Sequence, residues 1–344
     1  METIPLHTNE QLLPNELMDD TYNATELDYE KIYKCFQLKT DSFRNRFIFY
    51  SRSILRQARC FADLEMHRLQ TDKKNPFRDE PFWLDILDPT TEELAAVGHA
   101  FDIHPLTIED IQADDTREKC DVFHNYYFVS VKSIVDDEET IVNPVPVSIV
   151  VCKHCILSIQ YTSNVHTLRA IQRFKTQQGR FSQKMTPDFI CYSLLDEITD
   201  AFLPITRFLE HDMESIDDLV AVLKASEQTD MLKRITISRK RVIQVSRLMS
   251  SKPELIKLLV NRMRTESKDI LIFLEDIYDH AVTMKQDLIQ YEKALSRSYS
   301  NYLAQISIEI AQVSNRGNEI AAKMTMIASI LLPMTVITGT FWLR

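Results

Sequence analysis

The sequence predicts an α+β protein: a cytosolic α/β/α sandwich domain, then a helical hairpin, then one very long stalk helix that continues into a transmembrane helix. Three observations carry that expectation. Strand-favouring runs alternate with short capped helices between residues 82 and 178. Two adjacent helical stretches carry opposite charge. One apolar stripe, its members always three or four residues apart, persists from Ile270 to Ile327 and runs into a charge-free segment, Met324 to Leu343.

The totals are consistent with this. A chain of 344 residues that is 44% hydrophobic has room for an ordinary core plus a rod. Only 4 glycines against 9% aromatics argue against low complexity. With 50 acids against 40 bases, a net charge of −10 disfavours nucleic acid as a partner and favours cations. Met1 to Tyr22 is polar and acidic, unlike a secretory signal. The six cysteines (35, 60, 120, 152, 155, 191) are scattered, which fits a reducing compartment, so the bulk of the chain is expected in the cytosol.

Residues 1–75 read as a largely flexible N-terminal extension: 1–30 is a polar tail, Ile32 to Glu65 mixes aromatic and basic residues with no clean period and reads as partly ordered, and 73–80 is a charged connector. The α/β domain is expected over 76–180. FWLDIL (82–87) is a strand, and Asp88 to Glu93 starts a helix with acids in its first turn, where the helix dipole favours them. A second short helix follows His104-Pro105 and carries Glu109 and Asp110. DVFHNYYFVSVKSIV (121–135) is one long β-favouring run, and 145–161 is a hairpin turning at Lys153-His154. Val165, Leu168, Ile171 and Phe174 mark one more helix.

The helical hairpin is expected over 186–262. Pro187 to Lys224 carries eight acids between Asp196 and Asp218 against the single base Arg207. Met231 to Ser250 carries six bases and no acid. A short turn at 226–229 folds these two helices against each other. Ser251 to Glu254 has capping-box spacing and begins a short helix before the rod.

The stalk is expected over 267–323 and the membrane helix over 324–343. Ile270 to Tyr291 keeps a seven-residue repeat, and Tyr291 to Val313 keeps eleven-residue repeats, so left- and right-handed tendencies offset into a nearly straight rod about 110 Å long. Twenty charge-free residues match the hydrocarbon thickness of a bilayer. An apolar stripe running unbroken into a membrane implies parallel copies of the chain around an axis.

Few other constellations carry chemistry. Cys152-Lys153-His154-Cys155 looks like half a zinc site but lacks a second pair, and it reads as a hairpin turn. There is no nucleotide loop, GxSxG or HExxH, so an enzyme is not expected. Glu275, Asp276, Asp279 and His280 sit amid the rod's apolar stripe; they read either as solvated flanks or as carboxylates that parallel copies would cluster into oxygens suited to hard cations.

These stretches resemble CorA-type magnesium transporters, closest to the fungal branch with long N-terminal extensions. The resemblance is carried by FWLDILDPTTEEL (82–94), HPLTIEDI (104–111), REKCDVFHNYYFV (117–129), LDEITDAF (195–202), ESIDDLV (214–220), EDIYDH (275–280), YEKALSRSYSNYLAQISIE (291–309) and NEIAAKMTMIASILLPMTVITG (318–339). It implies a funnel-shaped homopentamer whose long helices line an axial pore, with pore-facing Asn318, Ala321, Met324, Ala328, Leu332, Thr335 and Gly339. Their spacings of 3, 3, 4, 4, 3 and 4 fall on one helix face. Met324 and Leu332 would form an apolar constriction, and Asn318 and Thr335 would offer oxygens to a hydrated ion. The resemblance further implies a regulatory metal site between subunits, formed by Glu109 and Asp110 of one and Asp276 of the next. The implied ion is Mg2+, with Mn2+, Co2+ and Ni2+ as further ions of related chemistry. The implied partners are copies of itself or full-length paralogous subunits, and membrane lipid. The implied location is the plasma membrane or a vacuolar or other organelle membrane.

The sequence departs from the family after Gly339, where Thr340-Phe341-Trp342-Leu343-Arg344 replaces an aromatic followed by Gly-Met-Asn, and no second transmembrane helix follows. Three readings are left open: a truncated or altered gene product, a shortened form, or a variant that assembles with full-length subunits. A non-conducting modulatory subunit and a membrane-tethered magnesium sensor are the corresponding functional alternatives.

Overall fold

The computed structural model describes residues 31–32, 35, 45–52, 54–64, 80–113, 117–134, 143–162, 165–177, 185–222, 228–266 and 268–342; the side chains of 221–222, 228–229, 265–266, 268 and 336–342 are outside that description. The tail read over 1–30 therefore lies outside the described residues. The chain forms two compact units. The first comprises Met1–Ser133, Pro144–Ile198 and Glu254–Glu275; the second comprises Ile134–Asn143, Thr199–Pro253 and Asp276–Arg344.

The first unit is built on a sheet of seven described strands in the order β2-β1-β3-β7-β6-β5-β4. They are β1 (Phe47–Ser51), β2 (Leu55–Ala58), β3 (Phe82–Leu87), β4 (Lys119–Val122), β5 (Tyr126–Ile134), β6 (Pro144–Cys152) and β7 (Cys155–Gln160). β3 pairs with β7 in parallel, while β1–β2, β1–β3, β4–β5 and β6–β7 are antiparallel. Alternation along the strands gives each face its own partners. Phe82, Leu84 and Ile86 of β3 join the core with Leu94 and Val97 of α1 (Thr91–Ala100) and Ile111 of α2 (Pro105–Gln112). On the opposite face, Trp83 meets Phe174 of α3 (Val165–Gln177), which in turn meets Phe189 of α4 (Pro187–Asp200). This is the expected sandwich of helices on both faces of a mainly antiparallel sheet.

Two expectations for this unit are corrected. The sheet begins well before residue 76, because β1 and β2 lie inside the stretch read as an extension. Every residue of β1 is buried, so FIFYS shows no polar alternation and gave no strand period. Ile32 and Cys35 also enter the core. The run 121–135 is not one strand: it divides at Phe123-His124-Asn125 into β4 and β5, which pair as a hairpin, with the Phe123 N–H donating to the Tyr126 carbonyl at 2.9 Å. The turn at Lys153-His154 between β6 and β7 is as expected, and Cys152 and Cys155 flank it as buried thiols.

The start of α1 follows its sequence signal. Thr90 is the N-cap, its hydroxyl accepting from the Glu93 N–H while Glu93 accepts from the Thr90 N–H, a complete capping box. Gly98 lets α2 approach α1 closely, since a Cβ there would sit 3.0 Å from Ile108 Cδ1. The polar residues of the second sheet face form a buried network. Asp85 Oδ1 accepts from Gln160 Nε2 (3.0 Å), from Thr167 Oγ1 (2.8 Å) and from Ser158 Oγ, which also accepts from Trp83 Nε1.

In the second unit, α5 (Phe202–Val222) and α6 (Gln228–Ser250) form the expected hairpin. Arg234 Nη2 of α6 donates to Asp212 Oδ1 of α5 at 2.9 Å, and Ser238 Oγ donates to the same carboxylate. The acidic stretch is two helices rather than one, breaking at Ala201 between α4 and α5. Pro204 explains this: its ring excludes the carbonyl four residues earlier from a continuous helix, whereas the first turn of a new helix tolerates it. After α7 (Lys252–Glu266), α8 (Lys268–Trp342) is a single helix of 75 residues, about 110 Å long.

The stripe of α8 divides in two. Ile277, Ala281, Met284, Leu288, Tyr291, Leu295 and Tyr302 are buried within the chain, and Ser298 Oγ donates to Asp217 Oδ1 of α5 at 2.7 Å. From Ile310 onward the stripe is exposed, including Val313, Ile320, Met324 and Ile327. The expectation that the whole stripe serves association is thus corrected, because its first half is already covered by the protein's own helices. Among the described residues no helix is long and apolar enough to cross a membrane. Of the charge-free segment, 324–335 are described with their side chains, 336–342 by their backbone alone, and position 343 lies outside the described residues.

Candidate functional site: the acidic edge of α2 and the exposed end of α8

Local chemistry fixes the orientation of α2. His104 is its N-cap, with Nδ1 accepting from the Leu106 N–H at 3.2 Å, and Pro105 occupies the first turn, where a missing N–H costs nothing. Tyr126 Oη accepts from the His104 N–H at 3.0 Å and bonds Thr107 Oγ1 at 2.9 Å, pinning the first turn to β5. Thr107 and Ile111 are buried, so Glu109 and Asp110 fall on the outer side: Glu109 is exposed and Asp110 half-buried.

Asp110 is met by a lysine that sequence reasoning gave no role. Lys119 Nζ on the edge strand β4 lies 2.6 Å from Asp110 Oδ2 and 2.8 Å from Asp121 Oδ2. The same ammonium stands over the Phe128 ring, 5.9 Å from its centroid. Burial pulls the Lys119 pKa down, but the hydrogen bonds and charges of Asp110 and Asp121 outweigh it, so the net shift is upward and the ammonium keeps its proton. The signal was partly legible: Lys119 and Asp121 are two apart on a strand and share a face. Asp110, on a different element, was not.

Asp276 lies on α8 in the second unit, highly exposed, with His280 Nε2 4.0 Å away. Its neighbour Glu275 belongs to the first unit and pairs with Arg264 at 3.6 Å. Glu109 and Asp110 thus lie in one unit and Asp276 in the other. Among the described residues, no group of three or more His, Cys, Asp or Glu side chains is placed to hold a metal ion. The half-zinc reading of Cys152 and Cys155 gains no further ligand, and Cys155 is pushed well above the usual thiol range, first by its hydrogen bond with Cys152 and then by burial.

Further along α8, Asn318, Ala321, Met324, Ala328, Leu332 and Thr335 are all exposed in the single chain, and the Gly339 position is not described beyond its backbone. Met324 and Leu332 are each about two-thirds exposed, at 66% and 67%. Thr335 Oγ1 donates back to the Leu332 carbonyl at 2.8 Å, which satisfies the hydroxyl proton within the helix.

The α/β sandwich and long helices of this chain match CorA structures in fold. The complete structure of the CorA magnesium transporter from Methanocaldococcus jannaschii superposes with a TM-score of 0.63 at 18% identity, covering 87% of each chain. Residues 79–341 match the family described as CorA-like Mg2+ transporter protein, and the chain belongs to that family. A protein of Schizosaccharomyces pombe described as a metal ion transporter is 39% identical over 267 residues, 76% of this chain and 33% of the relative. The magnesium transporter ALR1 of Saccharomyces cerevisiae is 33% identical over 308 residues, 76% of this chain and 36% of the relative. The chain therefore spans about a third of the length of these fungal relatives.

Proposed function

We propose that this chain is a subunit of a CorA-like channel for divalent metal cations, with magnesium as the principal cargo, gated by cytosolic ion binding between subunits. The observation that carries the reading is the second half of α8. Long apolar side chains from Ile308 to Met334 are exposed on all sides in the single chain, which the hydrophobic effect disfavours unless other copies and lipid cover them. In the proposed assembly, a homopentamer, residues 324–343 span the plasma membrane or an organelle membrane. Asn318, Ala321, Met324, Ala328, Leu332, Thr335 and Gly339 line the pore, and the bulk of the chain is cytosolic. No catalytic chemistry is assigned.

Gating follows from charge. Glu109 and Asp110 of one subunit and Asp276 of the next repel one another when bare. A divalent cation offsets the repulsion and holds neighbouring subunits together, closing the pore when the cytosol is replete. Loss of the ion lets them separate. Mn2+, Co2+ and Ni2+ share enough oxygen-ligand chemistry to act at the same places.

Divalent-ion flux tests the proposal, measured in liposomes holding this chain alone and in liposomes holding it with a full-length relative. Flux from the chain alone, raised by Asp276→Asn at high internal magnesium, is the expected outcome. Silence alone with reduced flux in the mixture would replace it with a modulatory subunit. Silence in both, with no magnesium-dependent protection from proteolysis, would overturn it.

A further inference from the structure

We propose that Lys119 is a built-in counter-ion at Asp110, a tethered ammonium that an incoming divalent cation must displace, and that it thereby sets the cation concentration at which the regulatory site fills. The inference rests on the reading of Asp110 as a cation ligand.

Lys119 Nζ is shared between carboxylates of two different elements, Asp110 of α2 and Asp121 of β4, at 2.6 and 2.8 Å. The trio carries a net charge of −1, so it still attracts cations. The site is open to exchange, because the side chains of Lys119, Asp110 and Asp121 retain 32%, 30% and 41% of their exposure. Phe128 beneath the ammonium keeps it in place. A divalent ion brings twice the charge and demands several oxygens, which an ammonium occupying Asp110 denies it.

Two carboxylates compete for the same lysine, which gives the proposal a sign pattern that a merely structural clip lacks. When the Lys119 charge is removed, Asp110 loses that counter-charge and divalent binding tightens. When Asp121 is removed, Lys119 has Asp110 alone, so divalent binding weakens. A structural clip between α2 and β4 gives the reverse signs: Lys119→Gln would loosen it and weaken divalent binding, while Asp121→Asn would leave Lys119 to Asp110, tighten the clip and strengthen binding.

The test is magnesium-dependent protection of the full chain from proteinase K, with Trp83 fluorescence on heating, read with Trp342 replaced by phenylalanine, as the check of folding. Lys119→Gln and Lys119→Met are expected to lower the magnesium midpoint roughly three- to tenfold, the scale of one unit charge a few ångströms from a divalent ion in a solvent-screened site. Asp121→Asn is expected to raise it about threefold, on the same scale for a shared partner. Lys119→Arg keeps the charge and is expected to stay near the wild-type midpoint, and Lys119→Gln/Asp121→Asn should follow Lys119→Gln. A raised midpoint in Lys119→Gln, midpoints that shift the same way for Lys119→Gln and Asp121→Asn, or a midpoint that does not move for Lys119→Gln while Asp110→Asn abolishes protection, overturn the counter-ion. An unchanged midpoint in Asp110→Asn overturns the reading of Asp110 itself, and the counter-ion with it.

Discussion

Replacing Glu93 by alanine probes how firmly the early strands are locked to the sandwich. The Glu93 side chain is 1% exposed and that of Arg46 12%, and Arg46 Nη2 lies 2.7 and 2.6 Å from the two carboxylate oxygens. Oε2 also accepts the Thr90 N–H at 2.8 Å, so one carboxylate caps α1 and holds the residue just ahead of β1. Its removal leaves a nearly buried guanidinium without its partner, at a cost of about 3–5 kcal/mol. Loss of the cap adds up to ~1 kcal/mol, and the remaining Arg46 bond to the Asp88 carbonyl (3.0 Å) offsets part of the charge cost. The net expectation is a loss of about 4 kcal/mol, a large share of a stability of about 5–15 kcal/mol. With a slope of about 2 kcal/mol/M, the urea midpoint falls by about 2 M. Fluorescence of the buried Trp83, with Trp342 replaced by phenylalanine, reads the transition of the first unit. Arg46→Met/Glu93→Leu should recover most of the loss, because an apolar pair removes both charges together. A loss below about 1 kcal/mol in Glu93→Ala, the scale of a surface pair, would refute the argument.

Three further outcomes follow from packing and charge. Asp188 has a pKa raised above its ordinary 3.8 by burial, against the opposing hydrogen bond from Tyr127 and the charge of Arg262. The folded value lies above the unfolded one, so its contribution is fully present below the unfolded pKa and is lost as pH rises through the folded one. Asp188→Asn, whose amide oxygen still accepts from Tyr127, should therefore stabilise the first unit at pH 7 and lose that advantage below pH ~4, as urea midpoints across pH will read. Tyr291 is pushed up to about 12 by burial and then by the charges of Glu210 and Asp287; Glu210→Gln should lower it, seen as phenolate absorbance appearing at lower pH. Gly98→Leu should destabilise the α1–α2 pair by about 1–3 kcal/mol through collision with Ile108, whereas Gly98→Ala should be close to neutral because helix propensity offsets the tighter contact.

Where the sequence carried a local chemical signal, its elements stand in the structure. The Asp88–Glu93 helix start with its first-turn acids, the His104-Pro105 helix start, the Lys153-His154 turn and the opposed charges of α5 and α6 are short-range devices, readable because the residues that make them are neighbours in the chain or on facing helices. β1 escaped because a strand buried on both faces loses its alternation. The Phe123-Asn125 break escaped because β-favouring residues flank it on both sides. The break at Ala201 was visible only as Pro204, three residues further on.

The candidate site divides along the same line. By itself, the sequence determined the family motifs, the single face shared by Asn318, Ala321, Met324, Ala328, Leu332, Thr335 and Gly339, and the placement of Glu109 and Asp110 at the end of a short helix, because helical periodicity and capping act over three or four residues. Tertiary structure alone decided that Asp110 is held by Lys119, that the first half of the α8 stripe is covered within the chain while the second half is exposed, and that Arg46 joins β1 to α1. Each of these depends on which distant segments share one buried surface, and burial turns a charge or an apolar stripe from a solvated feature into one that requires a partner.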